Sequence, residues 1–276
     1  MLAGALKIAA CQFPVSNSIK RNAGYVCSFM KQAARGKADI VHFSECALSG
    51  YAPIDFETFD RFDWQLLLVE TEKIIALTRK LRLWVVLGST HGLAGSKKPH
   101  NSLYLISPEG KVVDRYDKRF CMLCDLEHYG PGNRFVVFTV NKVRCALLIC
   151  YDLRFPELYR ELKKAGVNCI FQSFYNARQK GRTVHTDIMR QSMQCRAATN
   201  YFWISMANSS AYYQAYPSCF IRPDGKIVAQ LTQHRPGIMF NIVDLSKEFY
   251  DASAPFRDSA MKGILTSNPK IIRDRR

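Results

Sequence analysis

A cysteine at the end of an apolar run is the residue of this chain best placed to act as a nucleophile. Cys150 closes the uncharged run 145–150, which predicts a buried strand. Pro156 then opens an amphipathic stretch that predicts a helix. A thiol between a strand and a helix N-terminus faces the positive end of the helix dipole, which favours the thiolate. We therefore take Cys150 as a candidate nucleophile.

Three charged residues also lie beside strand-like runs or in the loops that follow them. Glu45 follows the run 40–43, Lys118 follows the run 111–116, and Glu127 lies in a loop further along. Charged residues at strand ends, rather than on helix faces, are candidates for a functional site.

These residue types together describe acyl transfer through a thioester. A free thiol has a pKa near 8.5, so it needs a base, and Glu45 can serve if burial raises its pKa. Lys118 would favour the thiolate and bind the oxyanion, with the backbone N–H of Tyr151 as a second donor, each donor being worth about 3 kcal/mol. Glu127 would hold Lys118 and orient the substrate amide.

The elements that must position these residues form two similar halves. The first half is predicted as strands 6–13, 39–43 and 83–90, helices 17–35 and 60–81, and a hairpin of 103–106 with 111–116. The second is predicted as strands 143–149, 167–172 and 201–207, helices 156–165 and 183–198, and a hairpin of 218–221 with 226–231. Both hairpins turn at Pro-acidic-Gly, at Pro108 and Pro223.

This order predicts an α/β protein in which two β-α-β-α-β-β halves stack as a four-layer α-β-β-α sandwich. Alternating strands and helices favour parallel sheets covered by helices. Ligands bind beyond the carboxyl ends of parallel strands. Glu45 and Cys150 end strands in different halves, so we expect them to meet in one cleft, which the joining stretch with Lys118 and Glu127 could close.

Four separated motifs, in this order, make the chain resemble the nitrilase superfamily of carbon–nitrogen hydrolases. The resemblance covers about residues 6 to 245. The motifs are Phe43-Ser-Glu45-Cys-Ala-Leu-Ser-Gly50-Tyr51, Tyr116-Asp-Lys118-Arg-Phe120, Glu127-His-Tyr-Gly-Pro-Gly132 and Cys150-Tyr-Asp-Leu-Arg-Phe-Pro-Glu157.

The resemblance implies the α-β-β-α sandwich, assembly into dimers or larger homo-oligomers, and no metal or organic cofactor. It implies that Glu45 is the general base and acid, Lys118 the oxyanion stabiliser and Cys150 the nucleophile. Glu127 would be the assisting carboxylate, although Asp125, two residues earlier, is an alternative for that role.

Departures from the family pattern bear on the substrate. Tyr151-Asp152 follows the cysteine where true nitrilases usually have Trp-Glu, which favours amides or carbamoyl groups over nitriles. Tyr216-Pro217-Ser218 stands where the family often has Gly-x-Ser. We therefore predict a hydrolase that releases ammonia from a small linear amide or N-carbamoyl compound. The alternatives are an acyltransferase that uses the same cysteine, an inactive scaffold of the same fold, and a nucleic-acid-binding protein.

Six residues are candidate substrate contacts by their family position: Tyr51, Tyr151, Arg154, Phe174, Asn176 and Arg178. Arg178 on a loop could receive a substrate carboxylate and select acidic amides. Arg154 could instead be structural and pair with Glu157 across the first helical turn.

Bulk composition constrains the class of protein. The chain has 276 residues, of which 48% are hydrophobic, enough for one domain over 1–276, with 246–276 as a C-terminal extension. The apolar start carries Lys7 and predicts a strand rather than a signal peptide. No stretch approaches the ~18 apolar residues of a membrane span. Several of the ten cysteines lie in strand-like runs, which suits a reducing, cytoplasmic location.

The net charge and one pair of cysteines are weaker indications of function. The net charge is +16, from 39 basic and 23 acidic residues, but the basic residues are spread along the chain, which favours attraction of an anionic substrate over nucleic-acid binding. Cys121 and Cys124 form a Cys-x-x-Cys pair near His128, which could be a redox pair or part of a zinc site, but no second such pair and no His pair at zinc spacing follows.

Overall fold

The strands form two six-stranded sheets in this computed structural model, which describes residues 4–95, 97–176 and 180–267. In chain order the strands are β1 Ala5–Gln12, β2 Ile40–His42, β3 Trp84–His91, β4 His100–Ser107, β5 Lys111–Asp117, β6 Val137–Val140, β7 Val143–Ile149, β8 Cys169–Ser173, β9 Trp203–Ala207, β10 Cys219–Ile221, β11 Ile227–Gln230 and β12 Gly237–Asp244. The strand order is β12-β1-β2-β3-β4-β5 in the first sheet and β11-β10-β9-β8-β7-β6 in the second.

Four longer helices and one short helix accompany the sheets. They are α1 Ile19–Arg35, α2 Trp64–Leu81, α3 Pro156–Lys164, α4 Val184–Asn200 and α5 Arg257–Met261. Helices α1 and α2 each begin after an N-cap residue. The side chains of these residues, Ser18 and Asp63, accept hydrogen bonds from backbone N–H groups of the first turn. Each of the four longer helices buries one face, whereas only Arg257 of α5 is buried.

The centre of each sheet consists of parallel strands, β1-β2-β3 in the first and β7-β8-β9 in the second. Strands buried on both faces need continuous apolar side chains, and β7 buries all of its side chains except Arg144. The predicted α/β class and the sandwich of two similar halves are confirmed.

Two strands lie outside the predicted pattern, β6 and β12. β12 follows the second hairpin in the chain but pairs antiparallel with β1, from Ala5 opposite Asp244 to Gln12 opposite Gly237. The end of the second half therefore completes the first sheet. Residues after β12 fold back on the body, where the Arg257 Nε donates a hydrogen bond of 3.0 Å to the Thr199 carbonyl. The division of the chain at residue 246 stays a prediction.

No helix in the described part of the chain has both the length and the apolar character of a membrane span.

A buried histidine connects the two sheets. The His42 ring nitrogens lie 2.9 Å from the hydroxyls of Ser173 and Ser205, and the Ser173 hydroxyl donates to the Phe43 carbonyl at 2.9 Å. Burial lowers the pKa of His42 to about 3, so the ring is neutral in the folded protein at physiological pH.

We expect His42 to make the folded protein acid-sensitive. The unfolded chain binds a proton at this histidine below about pH 6.5, whereas the folded protein does so only near pH 3, so stability is lost as the pH falls through that window. Between pH 7.5 and 5 the wild type should lose about 2 kcal/mol more free energy of unfolding than a His42→Asn variant. Urea unfolding of both proteins at both pH values measures this. An identical pH dependence would contradict it.

Candidate active site

Glu45 lies three residues beyond β2 and is fully buried. One carboxylate oxygen accepts hydrogen bonds from the Asn101 Nδ2 at 2.7 Å and the Lys118 Nζ at 3.0 Å. The other accepts from the Tyr175 backbone N–H at 2.8 Å. Burial raises the pKa of Glu45 in spite of the neighbouring Lys118. A carboxylate held in this way can take up and return a proton without changing its position.

Lys118 is buried between two carboxylates. Its Nζ lies 3.0 Å from Glu45 and 2.8 Å from Asp125. Burial alone would lower the pKa of Lys118, but the surrounding negative groups, Glu45 first, outweigh it and raise the pKa well above its usual range. The side chain is therefore a permanent cation within the protein.

The second carboxylate of the cluster is Asp125. Its oxygens accept from the Lys118 Nζ, from the Met122 N–H at 3.2 Å and from the Tyr51 hydroxyl. Glu127 is exposed and lines a separate surface groove. The prediction that Glu127 holds Lys118 is wrong, and its alternative, Asp125, takes that position. Both residues belong to one short 3₁₀ turn, where side chains two positions apart point in different directions.

Cys150 lies directly after β7 with a φ of +39°, the left-handed region that residues with a side chain rarely adopt. A 3₁₀ turn over Cys150–Arg154 separates it from α3, so the thiol does not lie at the helix N-terminus as expected. Burial raises the pKa of the Cys150 thiol, and the negative charge of the Glu45 carboxylate raises the pKa further. The resting group is thus a thiol beside a base rather than a thiolate favoured by a dipole.

Asp152, which the sequence did not single out, joins the turn of Cys150 to the segment that carries Lys118. Its carboxylate accepts from the Ile149 N–H at 3.0 Å, the Phe120 N–H at 3.0 Å and the Tyr116 hydroxyl at 2.7 Å. Ile149 directly precedes Cys150, and the other two partners flank Lys118. One buried carboxylate therefore fixes Cys150 relative to Lys118.

Asn101 on β4 is a second residue that the sequence did not indicate. Its backbone carbonyl accepts from the Lys118 N–H at 2.8 Å while its side chain donates to Glu45. It thus contacts both Glu45 and Lys118 and holds them in position relative to each other. No motif surrounds it that could have revealed this role.

A small cavity of about 50 Å³ opens onto Cys150. Its lining residues are Tyr51, Met122, Cys150, Tyr151, Arg154, Tyr175, Asn176, His185, Met189 and Tyr216. Four predicted substrate contacts are among them: Tyr51, Tyr151, Arg154 and Asn176. Phe174 is buried and lies outside this lining, and Arg178 lies outside the described residues.

Arg154 does not pair with Glu157. Its guanidinium donates to the Nδ1 of His185 at 3.1 Å, and it forms no ion pair with a carboxylate of the described residues. Burial, together with the charge of Arg154, lowers the pKa of His185. His185 is therefore neutral, accepts at Nδ1 and keeps its proton on Nε2.

Comparison with known proteins identifies the family. A model of the carbon-nitrogen hydrolase family matches residues 7–248. The chain belongs to this family. Human omega-amidase NIT2 is 24% identical over 256 residues, which cover 87% of this chain and 89% of that protein. An (R)-stereoselective amidase of Pseudomonas sp. is 28% identical over 173 residues, covering 63% of this chain and 60% of that protein.

Solved structures of amidases have the same fold as this carbon–nitrogen hydrolase. An amidase from Nesterenkonia sp. superposes with a TM-score of 0.75 at 18% identity, covering 89% of this chain and 92% of that chain. The resemblance to amidases of the nitrilase superfamily is confirmed.

The cysteine pair of this carbon–nitrogen hydrolase lies near the site without forming a bond. Cys121 is partly buried, Cys124 is exposed, and all ten cysteines carry free thiols. Among residues 4–95, 97–176 and 180–267, no three His, Cys, Asp or Glu side chains are arranged to hold a metal ion.

Proposed function

We propose that this protein hydrolyses a small linear amide that carries a carboxylate, through a thioester on Cys150, and releases ammonia. The observation that carries this is the arrangement of a thiol, a buried carboxylate and a buried ammonium around one small cavity. The omega-amidase and amidase relatives support amide hydrolysis. A mutant of the Nesterenkonia amidase shows covalent addition of the acetamide moiety of fluoroacetamide at its active-site cysteine, which supports the same role for Cys150.

In the acylation half, Glu45 takes the proton of the Cys150 thiol as the sulfur attacks the amide carbon. The carbonyl oxygen becomes an oxyanion that the Lys118 ammonium and the Tyr151 N–H stabilise. When this intermediate collapses, the C–N bond breaks and Glu45 returns its proton to the leaving nitrogen. The products of this half are ammonia and an acyl group on the sulfur of Cys150.

In the hydrolytic half, a water molecule attacks the thioester carbon while Glu45 accepts one of its protons. The C–S bond breaks, the sulfur recovers the proton from Glu45, and a carboxylic acid leaves. The raised pKa of Glu45 suits both directions of transfer, because a carboxylate with a raised pKa holds the accepted proton more readily before it donates it again.

The substrate carboxylate is assigned to Arg154. Arg154 lines the cavity, and among the described residues its guanidinium is bonded to a neutral histidine rather than an acid. A guanidinium binds a carboxylate through two parallel hydrogen bonds. A cavity of about 50 Å³ has room for a short chain only.

An activity panel tests this function. The wild type should release ammonia from succinamic and glutaramic acid faster than from neutral amides of equal length, N-carbamoyl compounds or nitriles. Arg154→Gln should lower kcat/KM for the acidic amides about 100-fold and leave neutral amides within about twofold, because only the former lose a charge-assisted bidentate contact.

Arg182→Gln is the matched control, since Arg182 is an exposed arginine with an ion pair to Asp187. It should leave the whole panel unchanged. Equal losses on acidic and neutral amides in Arg154→Gln would contradict the assignment, and absence of ammonia from every compound with the wild type would contradict the function.

Homo-oligomeric assembly and a cytoplasmic location stay predictions. Binding of a substrate carboxylate by Arg178 also stays a prediction.

A further inference from the structure

Tyr216 lines the cavity and carries a hydroxyl that the catalytic steps do not use. The residue lies between β9 and β10, is 1% exposed and lines the cavity together with Cys150. Its ring packs edge-on against Phe174, with centroids 5.6 Å apart and planes at 89°. The position is fixed, because the side-chain Nδ2 of Asn208 donates to the Tyr216 carbonyl at 2.7 Å.

The hydroxyl of Tyr216 has no hydrogen-bond partner among the described residues. A buried phenol normally finds one, and leaving it unpaired is unfavourable. Burial raises the pKa of Tyr216 well above its usual range, with Cys150 and Glu45 as the next contributors, so the group keeps its proton. It is therefore an unused proton donor on a residue that lines the same cavity as Cys150.

Several other polar groups of this wall have partners among the described residues. Arg154 donates to His185, and the Asn176 Oδ1 accepts from the Ala215 N–H at 2.8 Å and the Asn208 Nδ2 at 3.2 Å. The Tyr51 hydroxyl donates to Asp125. The Tyr51 hydroxyl is therefore already bonded to a carboxylate, whereas the Tyr216 hydroxyl is not.

We propose that Tyr216 is a specificity-determining residue whose hydroxyl donates a hydrogen bond to an oxygen atom within the acyl chain of the substrate, between the amide and the carboxylate. The proposal rests on the proposed function and narrows its substrate class from short acidic amides to those with an acceptor oxygen in the chain. A site built to donate to such an oxygen discriminates against the analogue that lacks it, because the donor then stays unpaired.

Two amides that differ by one atom test this. Glutaramic acid and diglycolamic acid have the same chain length and the same carboxylate, but the second has an ether oxygen in place of the central methylene. We expect kcat/KM of the wild type to favour diglycolamic acid about tenfold or more, and Tyr216→Phe to reduce that preference to within about twofold by a loss on diglycolamic acid alone.

Tyr216→Phe keeps the ring against Phe174 and removes only the unpaired hydroxyl, so a purely packing role would leave the ratio of the two kcat/KM values unchanged. Tyr212→Phe, at a tyrosine that is 69% exposed, is the matched control and should not alter the ratio. The same preference in wild type and Tyr216→Phe would overturn the proposal while leaving the amidase function intact. No ammonia from either compound with the wild type would instead overturn the proposed function.

Discussion

Replacing Cys150 with alanine will lower the rate of ammonia release by at least about 10⁴-fold, because removal of a covalent nucleophile eliminates the thioester route altogether. The charged partners Glu45 and Lys118 remain in this variant, so the loss reports the sulfur and not the collapse of the site. Ammonia assays on glutaramic acid give the rate. Intact-protein mass spectrometry of the wild type, quenched during turnover, should show one acyl group, and peptide mapping should place it on Cys150.

Cys121→Ala provides the control for this prediction. Cys121 lies beside the same cluster, with its Sγ 3.9 Å from the Lys118 carbonyl, but burial raises the pKa of its thiol to about 12. The variant should keep nearly full activity. An acyl group mapped to Cys121, or ammonia release by Cys150→Ala within about a hundredfold of the wild type, would show that the nucleophile lies elsewhere.

The site residues that the sequence could predict are those that lie just after strands of the two sheets. Glu45 and Cys150 follow central parallel strands, and the carboxyl ends of such strands meet at one edge in each sheet. Lys118 follows an edge strand of the first sheet. These three positions follow from strand-like runs that are followed by a charge or a thiol, and the sandwich brings them together.

The residues that the sequence did not predict depend on contacts that no local pattern records. Asn101 bonds to Glu45 across 56 residues of chain, and the Tyr116 hydroxyl bonds to Asp152 across 36. Asp125 and Glu127 are too close in the sequence for spacing to decide between them. Their 3₁₀ turn decides it, by turning one side chain inward and the other to solvent.

The same limit applies to the fold. Most strands and helices of each half follow from apolar periodicity, but β6, β12 and the pairing of β12 do not. An alternating pattern indicates which face of an edge strand is buried and not which sheet the strand joins. The pairing of β12 with β1 places the last strand of the second half in the first sheet.

The charges of the cluster explain how Glu45 can act in both directions. Lys118 supplies one positive charge to two buried carboxylates, Glu45 and Asp125, so the cluster has an excess of one negative charge when Cys150 is a thiol. Asp125 raises the pKa of Glu45, which lets Glu45 hold the proton that leaves the sulfur. Asp125 is thus expected to raise the pKa of Glu45 as well as to hold Lys118 in position.

Asp125→Asn should therefore lower kcat about 100-fold, the smaller end of what general acid–base catalysis contributes. The amide keeps the size of the side chain but removes the negative charge that raises the pKa of Glu45. That pKa should fall, and since the free enzyme needs Glu45 ionised, the acidic limb of the kcat/KM profile should move to lower pH. Ammonia release measured from pH 4 to 9 gives both quantities.

Glu127→Gln makes the same chemical change two residues away, at an exposed side chain outside the cluster. It should leave kcat and the pH profile unchanged within about twofold, since a solvent-exposed charge at this distance is largely screened. The pair of variants separates the two carboxylates that the sequence could not distinguish. A loss of activity in Glu127→Gln with an unchanged Asp125→Asn would reverse the assignment. A lower kcat in Asp125→Asn with no shift of the acidic limb would show that Asp125 holds Lys118 but does not raise the pKa of Glu45.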